Sequence, residues 1–154
     1  MSNFQINEVL SKISKHETYL FCESKKVRKG ILLRHDVDES LVFAENIFHK
    51  ELDYGIRSTF FVMVSNPLYN PMSNQNRNIL RKMIKHGFEI GLHFDPSVYK
   101  VNEYENHFYN EIKILENIIG KKIFSYSAHQ PSVTGEFLKI KNYINAYQNN
   151  LFND

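Results

Sequence analysis

Phe88-Glu89-Ile90-Gly91-Leu92-His93-Phe94-Asp95-Pro96 reads as a strand that ends in chemistry. Gly87 stops the helical pattern before it. The residues then alternate, with Phe88, Ile90 and Leu92 on one side and Glu89, Gly91 and His93 on the other, which is the two-residue period of a β-strand. One side packs and the other carries polar atoms. An imidazole at the end of such a strand, followed by Asp95 and Pro96, lies where strand gives way to loop, the usual place for functional groups in α/β proteins. Taken alone, a histidine there is more often an ordinary strand-end residue, because a neutral imidazole is tolerated with modest hydrogen bonding. Two other stretches change that balance.

The first lies upstream. Ile31-Leu32-Leu33-Arg34-His35-Asp36-Val37-Asp38 begins as a buried strand and turns abruptly charged, whereas strands commonly end in Gly, Asn or Pro. Asp36 and Asp38 point one way along a regular strand, and His35 and Val37 the other. The second lies downstream. Ile123-Phe124-Ser125-Tyr126-Ser127-Ala128-His129 alternates again, with Ser125, Ser127 and His129 on one side, and Gln130-Pro131 ends it.

Between and around these stretches the patterning switches between periods of two and 3.6. Ile6, Val9, Leu10 and Ile13 make a helix over Phe4 to Ile13, and Thr18 to Cys22 reads as a short strand. Ser40 can cap a helix striped by Leu41, Ala44, Phe48 and Leu52, and Ser58 to Val64 is a β-branched and aromatic run that reads as a buried strand. Asn66 to Asn76 is a long polar loop, of a length more often functional than filler. Ile79, Leu80, Met83 and Ile84 face inward from the next helix, and Tyr104, Phe108, Ile112, Leu115 and Ile119 define a helix over Glu103 to Ile119 closed by Gly120. Thr134 to Asp154 carries a weak helical pattern around Phe137, Leu138 and Ile144. Strands alternating with helices call for a parallel sheet with right-handed crossovers, open or closed into a barrel. The loops after the strands then share one edge, and that edge collects Asp36, Asp38, His93, Asp95 and His129.

Composition bounds the rest. A chain of 154 residues is read as one domain, 1–154, with 42% hydrophobic and 23% charged residues typical of a globular protein. A net charge of +2 is too small for a nucleic-acid footprint, and the basic run Lys25 to Lys29 is expected to be a solvated lead-in. Cys22 is the sole cysteine, so no intrachain disulfide or Cys-based zinc site can form. The start of the chain lacks a secretory pattern and no apolar stretch approaches membrane-spanning length, which makes a cytoplasmic protein without membrane insertion the expectation.

The convergence of acids and imidazoles is the informative feature. Two neighbouring carboxylates raise each other's pKa unless a cation lies between them, and one or two His with an Asp and water form an open catalytic metal site. The second Asp is then placed to take a proton. Bland readings exist for each part: a helix-capping Asp-x-Asp, a buried Arg34–Glu89 ion pair, a loop-bonding His129. Jointly, three strand ends with ligand-type residues favour the metal. His16, His49, His86 and His107 fall on helices or their ends and are expected to face solvent. There is no Gly-rich phosphate loop, no Gly-x-Ser-x-Gly elbow and no placed Cys nucleophile.

In order, Leu33 to Asp38, Ser58-Thr59-Phe60-Phe61-Val62, Gly87 to His93 and Ser125 to Pro131 resemble the successive motifs of the polysaccharide deacetylase superfamily (NodB-homology, carbohydrate esterase 4), and most of all a divergent branch associated with lipopolysaccharide and capsule biosynthesis. The resemblance runs over 31–131. It implies a distorted (β/α) barrel of the NodB/glycoside hydrolase-deacetylase type, expected to be C-terminally incomplete, with an open sheet edge that a homo-oligomer could cover. It implies a metal-dependent hydrolase that removes an N-acetyl group from a sugar or a polysaccharide or lipopolysaccharide precursor. By the same resemblance the pair Asp36 and Asp38 provides the base and a metal ligand, in either order, and His93 is a ligand; the reading taken is Asp36 as base, Asp38 and His93 as ligands, and His129 as a third ligand or the acid that protonates the departing amine. The family's second motif histidine is replaced here by Ser97, so that ligand is either absent or supplied by Asp95 or His129. The cation implied is divalent, zinc foremost, although cobalt, nickel, manganese and iron also suit Asp and His donors. The rival expectation is a catalytically inactive relative that binds carbohydrate or a partner chain.

Overall fold

The computed structural model describes residues 3–26, 28–131 and 139–147. Five strands form one parallel sheet in the order β3 (Arg34–Val37), β4 (Thr59–Val62), β5 (Glu89–Phe94), β6 (Ser125–Ala128) and β7 (Ile144–Asn145). Helices α2 (Leu41–Asp53), α3 (Asn74–Lys85) and α4 (Tyr104–Ile119) follow β3, β4 and β5, as parallel crossovers require. Ahead of them lie α1 (Asn3–Ile13) and a separate parallel pair, β1 (Thr18–Tyr19) with β2 (Ile31–Leu32). The sheet corresponds to part of a barrel, and no closed barrel is present among the described residues.

The two faces of the sheet have different jobs. Val37, Phe60, Val62, Ile90, Leu92 and Tyr126 point outward and bury against Leu41, Phe48, Leu80, Met83, Phe108 and Leu115 of the three helices, burial worth roughly 1.5–3 kcal/mol for each large side chain. The opposite, concave face carries Arg34, Asp36, Thr59, Phe61, Glu89, Gly91, His93, Ser125 and Ser127, as the register Arg34–Thr59–Glu89 and Asp36–Phe61–Gly91 dictates. Phe61 is fully buried on that face with Phe21 and Ala146. Its ring explains Gly91: a Cβ there would stand 2.5 Å from Phe61 and 2.9 Å from Ser125 Oγ, closer than any side chain tolerates.

Low on the same face a buried carboxylate ties four segments together. Glu89, 7% exposed, accepts hydrogen bonds from Thr59 Oγ1 at 2.8 Å, Ser125 Oγ at 2.7 Å and the Cys22 backbone N–H at 2.9 Å. Phe21 N–H in turn donates to Thr59 Oγ1 at 3.1 Å, so the turn after β1 closes the floor of the concavity. The alternative of an Arg34–Glu89 ion pair is not what forms: Arg34 reaches Asp36, and Glu89 takes hydroxyl and amide donors.

Several sequence expectations are corrected. Thr18 to Cys22 is strand only at Thr18–Tyr19; from Phe21 to Lys26 the chain is a 3₁₀ helix, because Phe21 turns into the core and Ser24 is buried beside it. The strand read from Ile31 breaks at Leu33, with β2 pairing β1 and β3 pairing β4. Only Leu10 of the α1 stripe is buried, and Val9 is 45% exposed. Helix α3 begins at Asn74, inside the segment read as loop, where Ser73 Oγ accepts from Asn76 N–H. Ile144 lies in a strand, held by its N–H to Phe124 O at 2.8 Å, and not in a helix; the expected helical turn around Phe137 and Leu138 lies outside the described residues. No described helix is long and apolar enough to cross a membrane.

Candidate metal centre

At the carboxyl-terminal rim of the sheet three donors meet. His93 is the fifth residue of β5, His129 follows β6 directly, and Asp38 follows β3 directly. His93 Nε2 stands 3.1 Å from Asp38 Oδ1 and 3.1 Å from His129 Nδ1, and His129 Nδ1 stands 3.4 Å from Asp38 Oδ1. Parallel strands in register produce this triangle: His93 pairs with Ser127 across the β5–β6 ladder, and His129 N–H continues that ladder by donating to Phe94 O at 2.8 Å.

The protonation of His93 is set by its neighbours. Its Nδ1 lies 3.1 Å from the Ser127 carbonyl oxygen, which only a ring N–H can satisfy, so Nε2 presents its lone pair to the triangle. Burial, at 2% exposure, pulls the imidazole below the ordinary histidine range, against the opposing charges of Asp36 and Asp38. A neutral ring with an oriented lone pair is the form that ligates metal.

Three donors around one cation at tetrahedral geometry, with bonds of 2.0–2.1 Å, stand about 3.3 Å apart. The edges found here are 3.1, 3.1 and 3.4 Å. The residues therefore fit a small divalent ion, and the nitrogen and oxygen donors suit zinc and its first-row neighbours alike. The triangle leaves further positions open on the exposed side, where Asp38 is 51% accessible.

Asp36 sits just inside this group. Its Oδ2 accepts from Arg34 at 3.2 Å and from Ser127 Oγ at 3.2 Å, and the Arg34 guanidinium lies 4.3 Å above the Tyr147 ring. Its Oδ1 is buried with no hydrogen-bond partner among the described residues. An orphaned carboxylate oxygen at the floor of a rim site is costly unless something else supplies a donor.

Asp38, His93 and His129 come together and Asp36 lies beside them. Asp95 does not join the triangle: its Oδ1 accepts from Ser97 N–H at 2.9 Å, capping the turn Pro96–Val98. The ring that stands third is His129. His35 faces the other way, with Nε2 2.6 Å from Oε1 of the fully buried Glu51, whose Oε2 accepts from Ser58 Oγ at 2.6 Å. His16, His49 and His86 are exposed, but His107 lies half-buried in a stack on the Tyr99 ring at 3.9 Å.

One network on the rim escaped the sequence reading. Ser65 Oγ and Tyr99 OH each donate to Glu111 Oε1 at 2.6 Å, joining the loops after β4 and β5 to α4. Glu111 is 4% exposed, and burial pushes its carboxyl above the ordinary range despite the two hydroxyls that favour the charge. The native state then holds a proton that the unfolded chain releases, so stability falls as pH rises through the window just above the ordinary carboxyl range. Glu111→Gln is expected to flatten that slope in thermal melts across acidic pH; an unchanged slope would contradict this. The signal in the sequence, a glutamate on the apolar stripe of α4, was present at position 111.

Fold and donor group together define an open parallel α/β sheet with three metal-ligand side chains gathered at the carboxyl-terminal rim of its strands. No protein-family model matches the sequence, and no curated protein does. Among solved structures, the deacetylase PplD of Streptococcus pyogenes, in complex with acetate, is similar with a TM-score of 0.62 at 12% identity, over 79% of this chain and 60% of its own. The Xyl-CE4 domain of a multidomain xylanase from the hindgut metagenome of Trinervitermes trinervoides gives a TM-score of 0.50 at 18% identity, over 63% of this chain and 46% of its own. At these identities the likeness is one of fold. The chain spans 46% and 60% of the length of these two structures.

Proposed function

We propose that the chain is a metal-dependent hydrolase that removes an acetyl group from the nitrogen of an amino sugar, free or in a glycan precursor. The observation that carries this reading is the Asp38–His93–His129 triangle with the unpartnered Asp36 Oδ1 beside it. A divalent cation held by Asp38, His93 and His129 would supply Lewis acidity at the amide carbonyl and acidify the water next to it. The other roles belong to the chain itself.

Arg34 and Ser127 both engage Asp36 Oδ2, which leaves Oδ1 as the oxygen free to accept a proton. Asp36 takes that proton from the attacking water as the carbon–oxygen bond forms. It returns the proton to nitrogen as the carbon–nitrogen bond breaks, so that amide and water become acetic acid and amine, which part as acetate and ammonium, without a second acid. His129, drawn into the triangle, serves as third ligand in this account. Ser127 links the two functions, since its carbonyl orients His93 and its hydroxyl orients Asp36.

The test is acetate release from a panel of N-acetylated sugars and glycan fragments, with the chain loaded with zinc or cobalt. Release that stops on chelation and returns with the ion is expected. Retention of the ion with no release from any member of the panel would overturn the hydrolase and leave a carbohydrate-binding relative.

A further inference from the structure

Asp38 lies beyond the last residue of β3 and before α2 begins, in a segment without regular secondary structure. Its carboxylate is half exposed, yet it meets His93 Nε2 at 3.1 Å. Something must hold this part of the backbone.

The loop after β4 supplies the hold. β3 and β4 are in register through Val37 and Val62, and past that pair a side chain takes over as a rung between them. Tyr69 OH accepts from the Met63 backbone N–H at 3.0 Å and donates to the Val37 carbonyl at 2.8 Å. One residue further, Asn66 Nδ2 donates to the Asp38 carbonyl at 2.8 Å. The amide orientation of Asn66 is fixed by its other end, where Oδ1 accepts from Leu68 N–H at 2.7 Å and Tyr69 N–H at 3.2 Å. On the far side Ser40 caps α2 by accepting from Phe43 N–H at 3.2 Å.

We propose that Asn66 and Tyr69 are positioning residues for the cation: they fix the backbone at Val37 and Asp38 so that the Asp38 carboxylate points at the two imidazoles. This rests on the metal reading of the triangle. Groups that orient a ligand commonly contribute about 10–100-fold to metal affinity. Asn66 is not one of the three donors, and its bond to the Asp38 carbonyl is the route by which it acts on the triangle.

The experiment measures cobalt affinity and the visible spectrum of the cobalt-loaded chain for wild type, Asn66→Ala, Tyr69→Phe, Asp38→Ala and the Asn66→Ala/Asp38→Ala double variant. Asn66→Ala is expected to weaken affinity about 10–100-fold and to shift the spectrum toward that of Asp38→Ala. In the double variant it is expected to add nothing, because its route to the ion is already gone. Tyr69→Phe keeps the ring and its packing, so it carries the test if Asn66→Ala does not fold. Unchanged affinity in Asn66→Ala and Tyr69→Phe, or losses that add in the double variant, would overturn the assignment while the metal reading stands. A wild-type chain that binds no cobalt would instead sink the metal reading, and the assignment with it.

Discussion

Asp36→Asn is expected to lower acetate release by about 10²- to 10⁴-fold, the usual contribution of a general base, without displacing the ion. The substitution is nearly isosteric, and the amide oxygen can keep the donors that Arg34 and Ser127 direct at Oδ2. What it removes is the basicity of Oδ1. Asp36 is outside the Asp38–His93–His129 group, so ion content separates its role from theirs. Equal loss of activity and ion would make Asp36 a ligand; full activity with the ion in place would remove it from the mechanism.

Glu89→Ala carries the largest expected cost to the fold. Three donors lose their acceptor at once: Ser125 Oγ, Thr59 Oγ1 and Cys22 N–H. A buried donor left without a partner costs about 1–3 kcal/mol, and water entering the space offsets part of the sum. A net loss of about 3 kcal/mol is expected, equivalent to about 10 °C in the thermal midpoint for a chain of this size. Glu89→Gln keeps one acceptor oxygen and is expected to lose less. A midpoint in Glu89→Ala unchanged from wild type would show that the floor of the concavity is not held by this carboxylate.

The stretch from Phe88 to Pro96 made the architecture legible because its alternation placed Glu89, Gly91 and His93 on one face, the face they occupy. The same rule put Asp36 and Ser127 inside and His35 and Val37 against α2. Strand breaks were illegible for the opposite reason. Nothing in Ile31-Leu32-Leu33-Arg34 marks the point at which the chain leaves β1 and joins β4, since no Gly, Pro or turn residue stands there and the change is decided by partners distant in sequence. Asp95 and His129 were equal substitutes for a missing histidine on paper. The choice between them turned on register: β6 pairs with β5 so that His129 faces His93, whereas Asp95 is spent on the turn at Ser97.

Side chains that hold backbone were harder still to foresee. Asn66 and Tyr69 look like loop residues, because a hydrogen bond from a side chain to a carbonyl many residues away leaves no periodic trace. Glu111 was visible as a charge on an apolar stripe, but its partners Ser65 and Tyr99 come from two other loops.

The central claim, that Asp38, His93 and His129 share one cation, is tested most directly by elemental analysis of the chain purified without chelator and reloaded with zinc, beside His93→Ala. One ion per chain in the wild type and almost none in the variant is the expected result. No ion in the reloaded wild type, or equal content in both, would contradict it.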